Sequence, residues 1–245
     1  MLAMKNYLHG LTYEEARNYF SSRNIVILPV GSVEQHGPAN PLGTDTLIAD
    51  ALAREASIRT GVLSLPIVPF GVSFHHMDYP GTITVSERAL EAYLFDVIAS
   101  LKRWGVKKVL IINGHGGNLP ALQILARRAR EELGVKVFIY QWWTSSSRIL
   151  SELFDERERG HAGAAETSLN MHLHPSLVRN DKVVDEAPRT NESLSGLTTF
   201  LYTSEQTKSG VFGVQTSASA DRGKELFEKL VEDLVRIIEE LERTE

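Results

Sequence analysis

Short apolar runs alternate with longer amphipathic segments along this chain, and that rhythm limits the folds open to it. Residues 24–30, 61–69, 107–112 and 135–141 are rich in Val, Ile and Leu, too short for buried helices and bounded by turn residues, so they read as buried strands. Between them, residues 45–57, 86–104 and 119–133 carry helical spacing. Ser86-Glu87 and Asn118 stand where helices start, and Gly105 and Gly134 where they stop. A last segment, 221–243, repeats apolar side chains at Leu226, Phe227, Leu230, Leu234, Ile237, Ile238 and Leu241, which predicts a long helix over the core. The alternation predicts an α/β fold, a mostly parallel sheet with helices on both faces, whose ligands lie beyond the carboxyl ends of the strands.

A length of 245 residues with 42% hydrophobic content supports a single domain, 1–245, with a large core. The formal charge of −5 offers no basic field, so nucleic acid is not an expected partner. With no cysteine, any metal must be held by nitrogen and oxygen. The N-terminal ten residues lack the apolar core of a signal peptide, and no window matches the roughly 20 apolar residues of a membrane span, so a cytoplasmic protein with no membrane partner is expected. Residues 181–209, polar and rich in Ser and Thr, read as a long surface excursion.

Three polar clusters carry chemistry. The first, GSVEQHGPANPLGTDT (31–46), follows the first strand. If that strand stays extended to residue 36, Glu34 and His36 point to one side, and the loop 38–43 can return Asp45 to them. Two carboxylates and an imidazole suit zinc, manganese or iron; Asp45 as a helix cap is the plainer alternative. The second, NGHGGN (113–118), also sits between strand and helix, and its glycines admit close backbone approach while His115 projects into a site. It matches neither GxGxxG nor GxxxxGK[ST], and a simple tight turn explains it equally well.

The third cluster is GHAGAAETS (160–168). Glu166 opens a helical segment, where the dipole alone would favour a carboxylate, and His161 is either a proton donor or an exposed loop histidine. His75-His76, after the strand 61–69, read as pocket wall before metal ligand. His172 and His174 are two residues apart on a helix, so they face different sides and read as structural; His9 has no evident role.

Taken in order, LPVGSVEQHGPANPLGTD, YPGTIT, INGHGGN, GHAGAAETS and GVFGVQTSASADRGKEL resemble the creatininase family of metal-dependent amidohydrolases over roughly residues 25–225. The resemblance implies a three-layer α/β sandwich, a homo-oligomer of hexameric type, and two divalent ions per chain at the carboxyl edge of the sheet, zinc first, with iron or manganese as alternatives. Carried over by position, Glu34, Asp45 and His115 would hold one ion, and His36 with the shared Asp45 the other. A glutamate two residues after the histidine of the third motif completes the second site in creatinine-hydrolysing members. Here that position is Gly117, and Glu166 is the candidate to replace it, in a catalytic and metal-binding role.

The implied reaction is hydrolysis of a small-molecule amide by a metal-activated water. His161 would orient substrate and pass a proton to the departing nitrogen. His75, His76, Gly116 and His161 are the expected substrate-binding positions. Ala39-Asn40 replaces the family's usual His-Leu and marks where substrate choice is expected to differ. The tryptophan-bearing loop of creatinine hydrolases is not recognisable in Asp155-Glu156-Arg157-Glu158-Arg159, a solvated loop or one facing a charged substrate. The NGHGGN form is shared with deformylases of formylamino-pyrimidine nucleotides and with peptidases that mature a peptide-derived cofactor. The expected activity is therefore a non-creatinine amidohydrolase. Creatinine hydrolysis, cleavage of a small modified peptide, and a catalytically silent nucleotide- or metal-binding module are the alternatives.

Overall fold

The computed structural model describes residues 6–189 and 199–244. Three strands, β1 (Ile25–Val30), β2 (Lys108–Asn113) and β3 (Lys136–Gln141), form a parallel sheet in the order β1-β2-β3. Their register sets Val26 beside Val109 and Val109 beside Val137. The helices are α1 (Tyr13–Ser22), α2 (Thr44–Thr60), α3 (Glu87–Lys102), α4 (Leu119–Arg128), α5 (Trp142–Ser145), α6 (Ser147–Leu153), α7 (Ala164–Leu173), α8 (Thr203–Gln206) and α9 (Ala220–Arg243). Ser86 caps α3, as its sequence predicts, by accepting from the Ala89 N–H.

The period of two along each strand sorts side chains into two cores. Ile25, Ile27, Leu110, Ile112 and Tyr140 pack against α2, α7 and α9. Val26, Leu28, Val30, Val109 and Ile111 pack on the other face against α3 and α4, with Tyr19 and Phe20 of α1 at the margin. The result is the expected three-layer sandwich. The long C-terminal helix buries Leu226, Phe227, Leu230, Leu234, Ile238 and Leu241, leaving its charged side outward.

One expected strand takes another form. Residues 61–69 run beside β1 but make only isolated bridges, Ser64 to Ile27 and Val68 to Val30. Pro66 and Pro69 have no N–H to donate, so the ladder is broken into separate bonds such as Leu65 N–H to Ile27 O and Val68 N–H to Pro29 O. The segment still covers that edge of the sheet.

The excursion 181–209 lies largely at the surface among the described residues, as expected. Residues 190–198 of it lie outside the described residues, but its return is anchored inward, with Thr203 and Thr207 buried. Among the described residues no helix is long and apolar enough to cross a membrane.

Candidate active site

β1 stops at Val30, as the apolar run 24–30 predicts, and the conditional extension to residue 36 is not made. Beyond it the chain crosses the start of α2, where the Thr46 hydroxyl donates to Ser32 O at 2.9 Å, and Val33 pairs antiparallel with Ile83. The Glu34 N–H donates to Leu42 O, so the loop 38–43 closes on itself and returns Asp45 as anticipated. Asp45 lies in the first turn of α2, where the helix dipole favours its carboxylate, and it makes no capping bond.

At the end of β2 the backbone touches α2. A Cβ at Gly114 would lie 2.3 Å from Asp45 O, so glycine is required for this approach, and it delivers His115 to Asp45. The two asparagines of NGHGGN brace the turn. Asn113 donates to His115 O at 2.7 Å, while Asn118 accepts from Val72 N–H at 2.9 Å and donates to Gly31 O at 3.1 Å.

Five of the residues singled out in the sequence meet here. The Asp45 carboxylate divides its oxygens between two imidazoles: Oδ1 is 3.0 Å from His36 Nε2, and Oδ2 is 3.1 Å from His115 Nδ1. Glu34 Oε2 stands 3.0 Å from the same His115 Nδ1, and Glu166 Oε2 stands 3.7 Å from His36 Nε2. Glu34, Asp45 and His115 thus form one group and His36, Asp45 and Glu166 a second, the donor atoms within each lying within 4.8 Å of one another. Glu34, His36 and His161 make a third such group.

The protons of these rings are directed outward. His115 Nε2 donates to Val72 O at 2.9 Å and His36 Nδ1 to Glu34 O at 3.2 Å, so each turns its other nitrogen to the carboxylates. Glu34 Oε1, His36 Nε2 and Asp45 Oδ2 are buried with no hydrogen-bond partner despite these short approaches. Oxygens and nitrogens crowded this way, without hydrogen-bond geometry, are the arrangement that a divalent cation satisfies. The donor set therefore fits divalent metal.

The carboxylates dominate the electrostatics of the cluster. Burial depresses both His36 and His115, but the carboxylates outweigh it: Asp45 leads in pushing His36 up to about 10, and Glu34 leads in raising His115 well above its ordinary value. Glu34 is held well below the usual carboxylate range because His115 and His76 overcome the effect of its burial. Glu166 is pushed up to about 7, by burial first and with Asp45 adding to it, while His36 opposes. Its Oε2 also accepts from Ala162 N–H at 2.7 Å, so the plainer helix-start role is present alongside its place near His36.

His161 faces the same centre. Its Nε2 donates to Gln35 O at 2.9 Å, which leaves Nδ1 directed toward Glu34 Oε1 at 4.0 Å. Burial, then His36 and His76, hold it well below its ordinary value, so the ring is neutral near pH 7. Ala162, next in the turn, has φ 56°, the one non-glycine in the left-handed region among the described residues.

His76 is a support for Glu34. Its Nδ1 lies 2.9 Å from both Gln35 Nε2 and the Thr203 hydroxyl, and its Nε2 lies 3.2 Å from Glu34 Oε1. His75 is half-buried, stacks on His115 at 5.4 Å, and is held down at about 4 by burial and then by His76 and His115. His75, His76, Gly116 and His161 all line one cavity of about 230 Å³, together with Asp45, His115 and Glu166. The remaining histidines are elsewhere: His172 lies against Phe227 and His9 against Tyr7.

Sequence reasoning passed over several contributors. Ser73 donates to Glu34 Oε2 at 2.5 Å, and Gln35 accepts from His161 at its backbone O while its side-chain amide donates to Gly210 O and lies against His76. Gln35 had a signal, its place between two candidate ligands; Ser73 had none. Trp142, Trp143, Phe212, Thr203 and Gln206 complete the cavity wall from three separate segments.

Two departures from the family pattern are corrected by their surroundings. Ala39 and Asn40, expected to influence substrate choice, lie outside the cavity wall. Both are buried, with Asn40 donating to Thr167 at 2.8 Å and accepting from Asn170, so they position α7 and through it Glu166. The loop 155–159 is not simply solvated. Glu158 is buried and ion-paired to Arg222 at 2.8 Å, and Arg159 lines the cavity.

Glu158 is held down at about 2, chiefly by Arg222. A carboxyl group depressed in the folded state stabilises the fold above its unfolded value near 4.5, and that contribution is lost as pH falls toward 2. Glu158→Gln is therefore expected to flatten the acid limb of stability between about pH 4.5 and 2. Denaturant midpoints measured across that range check it, and an unchanged acid limb would count against the pairing.

A family model described as creatininase, creatinine amidohydrolase, matches residues 9–238. The mycofactocin precursor peptide peptidase of Mycobacterium ulcerans is 32% identical, over 86% of this chain and 82% of that protein. The 2-amino-5-formylamino-6-ribosylaminopyrimidin-4(3H)-one 5'-monophosphate deformylase of Methanothermobacter thermautotrophicus is 34% identical, over 66% of this chain and 64% of that protein. A solved glutamate-to-glutamine mutant creatininase of Zn–Zn type is 25% identical with a TM-score of 0.82, covering 97% of this chain and 98% of that one. The solved creatininase shares the architecture described above. The chain belongs to the creatininase family of metal-dependent amidohydrolases.

Proposed function

We propose that this chain hydrolyses a carbon–nitrogen amide bond of a small molecule other than creatinine, a formylamino-pyrimidine being the favoured type. The observation that carries the reading is the pair of donor groups sharing Asp45 at a cavity of about 230 Å³. Such a cavity suits a small ligand or the end of a longer one. Glu34, Asp45 and His115 would hold one divalent ion and His36, Asp45 and Glu166 the other, zinc first, with iron or manganese accepted by the same donors. Bound ions there supply Lewis-acid activation of water and of the amide carbonyl.

The chain's own residues do the rest. Neutral His161, anchored through Nε2 to Gln35 O, keeps Nδ1 free to take a proton and return it to the leaving nitrogen. His76 and Ser73 orient Glu34. Trp143 and Phe212 wall the cavity with apolar surface. His161→Ala is expected to lower kcat by roughly a hundred- to ten-thousandfold while metal content stays at the wild-type value. Elemental analysis beside steady-state kinetics reads both, and wild-type turnover in the variant would remove His161 from the proton path.

A second reading, cleavage of a short modified peptide, is supported by the 32% identity to a peptidase across most of both chains. Hydrolysis of creatinine, a formylamino-pyrimidine and short peptides by the metal-reconstituted protein separates the readings. Cleavage of the formyl compound supports the proposal, cleavage of peptides alone favours the second reading, and cleavage of creatinine alone defeats both.

A further inference from the structure

The cavity wall carries one cation that no contact described so far employs. Arg159 lines the cavity and is half-buried, yet among the described residues its guanidinium makes a single hydrogen bond, Nε to Asp155 O at 3.3 Å. Among the described residues it has no ion pair. The acidic group next to it in sequence is already engaged. Glu158 accepts from Asp155 N–H at 2.7 Å and is neutralised by Arg222, while the Glu158 N–H donates to the backbone O of Asp155 at 3.0 Å. The acids that line the cavity, Asp45 and Glu166, belong to the donor groups.

The platform beneath Arg159 is held on both sides. Val214 N–H donates to Arg157 O and Phe212 N–H to His161 O, both at 2.8 Å, so the turn is strapped to the segment 212–214. Arg222 also donates to Leu153 O at 2.6 Å and lies over the Phe154 ring at 4.0 Å, which secures the turn from below. An arginine presented on a fixed turn, with most of its donor fork unused, is suited to a planar or tetrahedral anion. Thr203 and Gln206 add uncharged polar groups to the same wall.

We propose that Arg159 is a specificity-determining residue that selects amide substrates bearing an anionic group, a carboxylate or a phosphate, at a distance from the scissile bond. This rests on the amide-hydrolysis reading above and narrows it. The substrate is bipolar in recognition: the amide meets the Asp45-centred cluster, and the anion meets the Arg159 wall. Creatinine has no such anion to offer.

The test uses the metal-reconstituted full chain and matched substrate pairs. N-formylaminobenzoate against formanilide probes carboxylate, and a formylamino-pyrimidine riboside with and without its 5'-phosphate probes phosphate. The wild type is expected to favour the anionic member of at least one pair by roughly ten- to a hundredfold in kcat/KM, mainly through KM. Arg159→Gln should shrink that ratio to within about threefold of unity, Arg159→Lys should keep part of it, and Arg159→Glu should reverse it. The pair that shows the preference identifies the anion. No preference in either pair, or a preference unchanged in Arg159→Gln, overturns the proposal.

If no member is cleaved, the amide-hydrolysis reading fails and the anion site is judged separately. Calorimetric titration with inorganic phosphate and with benzoate then decides. Binding weakened by about tenfold or more in Arg159→Gln upholds the site, and equal binding, or none in the wild type, overturns it.

Discussion

Replacing Asp45 with asparagine is expected to lower hydrolysis by at least about a thousandfold and to remove most of the divalent metal the protein carries. Asp45 is the one residue common to the Glu34–His115 and His36–Glu166 donor groups, with an oxygen against His36 on one side and an oxygen against His115 on the other. Asparagine keeps the size of the side chain and its place in the first turn of α2, but it loses the charge that both sites would share. Elemental analysis and turnover on the same preparation give the answer. A variant with wild-type metal content and turnover would show that Asp45 is not shared, and the two-group arrangement would have to be abandoned. The contrast with His161→Ala, where turnover falls and metal stays, separates holding the ions from moving the proton.

Gly117→Glu should not convert this chain into a creatinine hydrolase, although it restores the residue found there in creatinine-hydrolysing relatives. A Cβ at 117 would lie 2.1 Å from Val72 O, 2.5 Å from His115 Nε2 and 3.1 Å from His75 Cε1. The first of these is backbone, fixed by the bond from Val72 N–H to Asn118 and by the bond its carbonyl accepts from His115. Relief requires moving His115 itself. The expected cost is about 3 kcal/mol or more, a drop of roughly 6–12 °C in Tm, with loss of native activity. A thermal melt and a creatinine assay check it. A variant that melts with the wild type and cleaves creatinine would mean that this turn is far more pliable than its packing implies.

The comparison of chain and structure is most instructive at particular residues. The β1 run declared both its strand and its burial, since Ile25 and Ile27 face one core and Val26, Leu28 and Val30 the other. The run 61–69 had the same composition, but Pro66 and Pro69 reduced it to bridged chain, because a ladder needs N–H donors at alternate residues. Motif order was enough to bring Glu34, His36, Asp45, His115 and Glu166 onto one list. It was not enough to show that Glu166 also holds Ala162 N–H, or that His76 stands behind Glu34. Those facts depend on ring orientation and on hydrogen bonds between residues more than a hundred positions apart, such as Thr203 to His76 and Gln35 to His161.

Ala39-Asn40 and Asp155 to Arg159 show how far a departure from a family pattern can mislead or inform. The first pair stands apart from the family pattern, yet it is packed against α7 and is not among the residues that line the cavity. The second reads as a run of alternating charge, and only the fold pairs Glu158 with Arg222 while leaving Arg159 on the cavity wall.

By itself, then, the sequence determined the layer architecture, the edge of the sheet at which the site lies, and the residue types that meet there. Periodicity and turn chemistry are local, and they act on every residue of a strand or helix alike. Tertiary structure alone decided which atoms face one another, which oxygens are left without partners, and which arginine lines the cavity. Those outcomes depend on distances between segments remote in the chain, which no local pattern encodes.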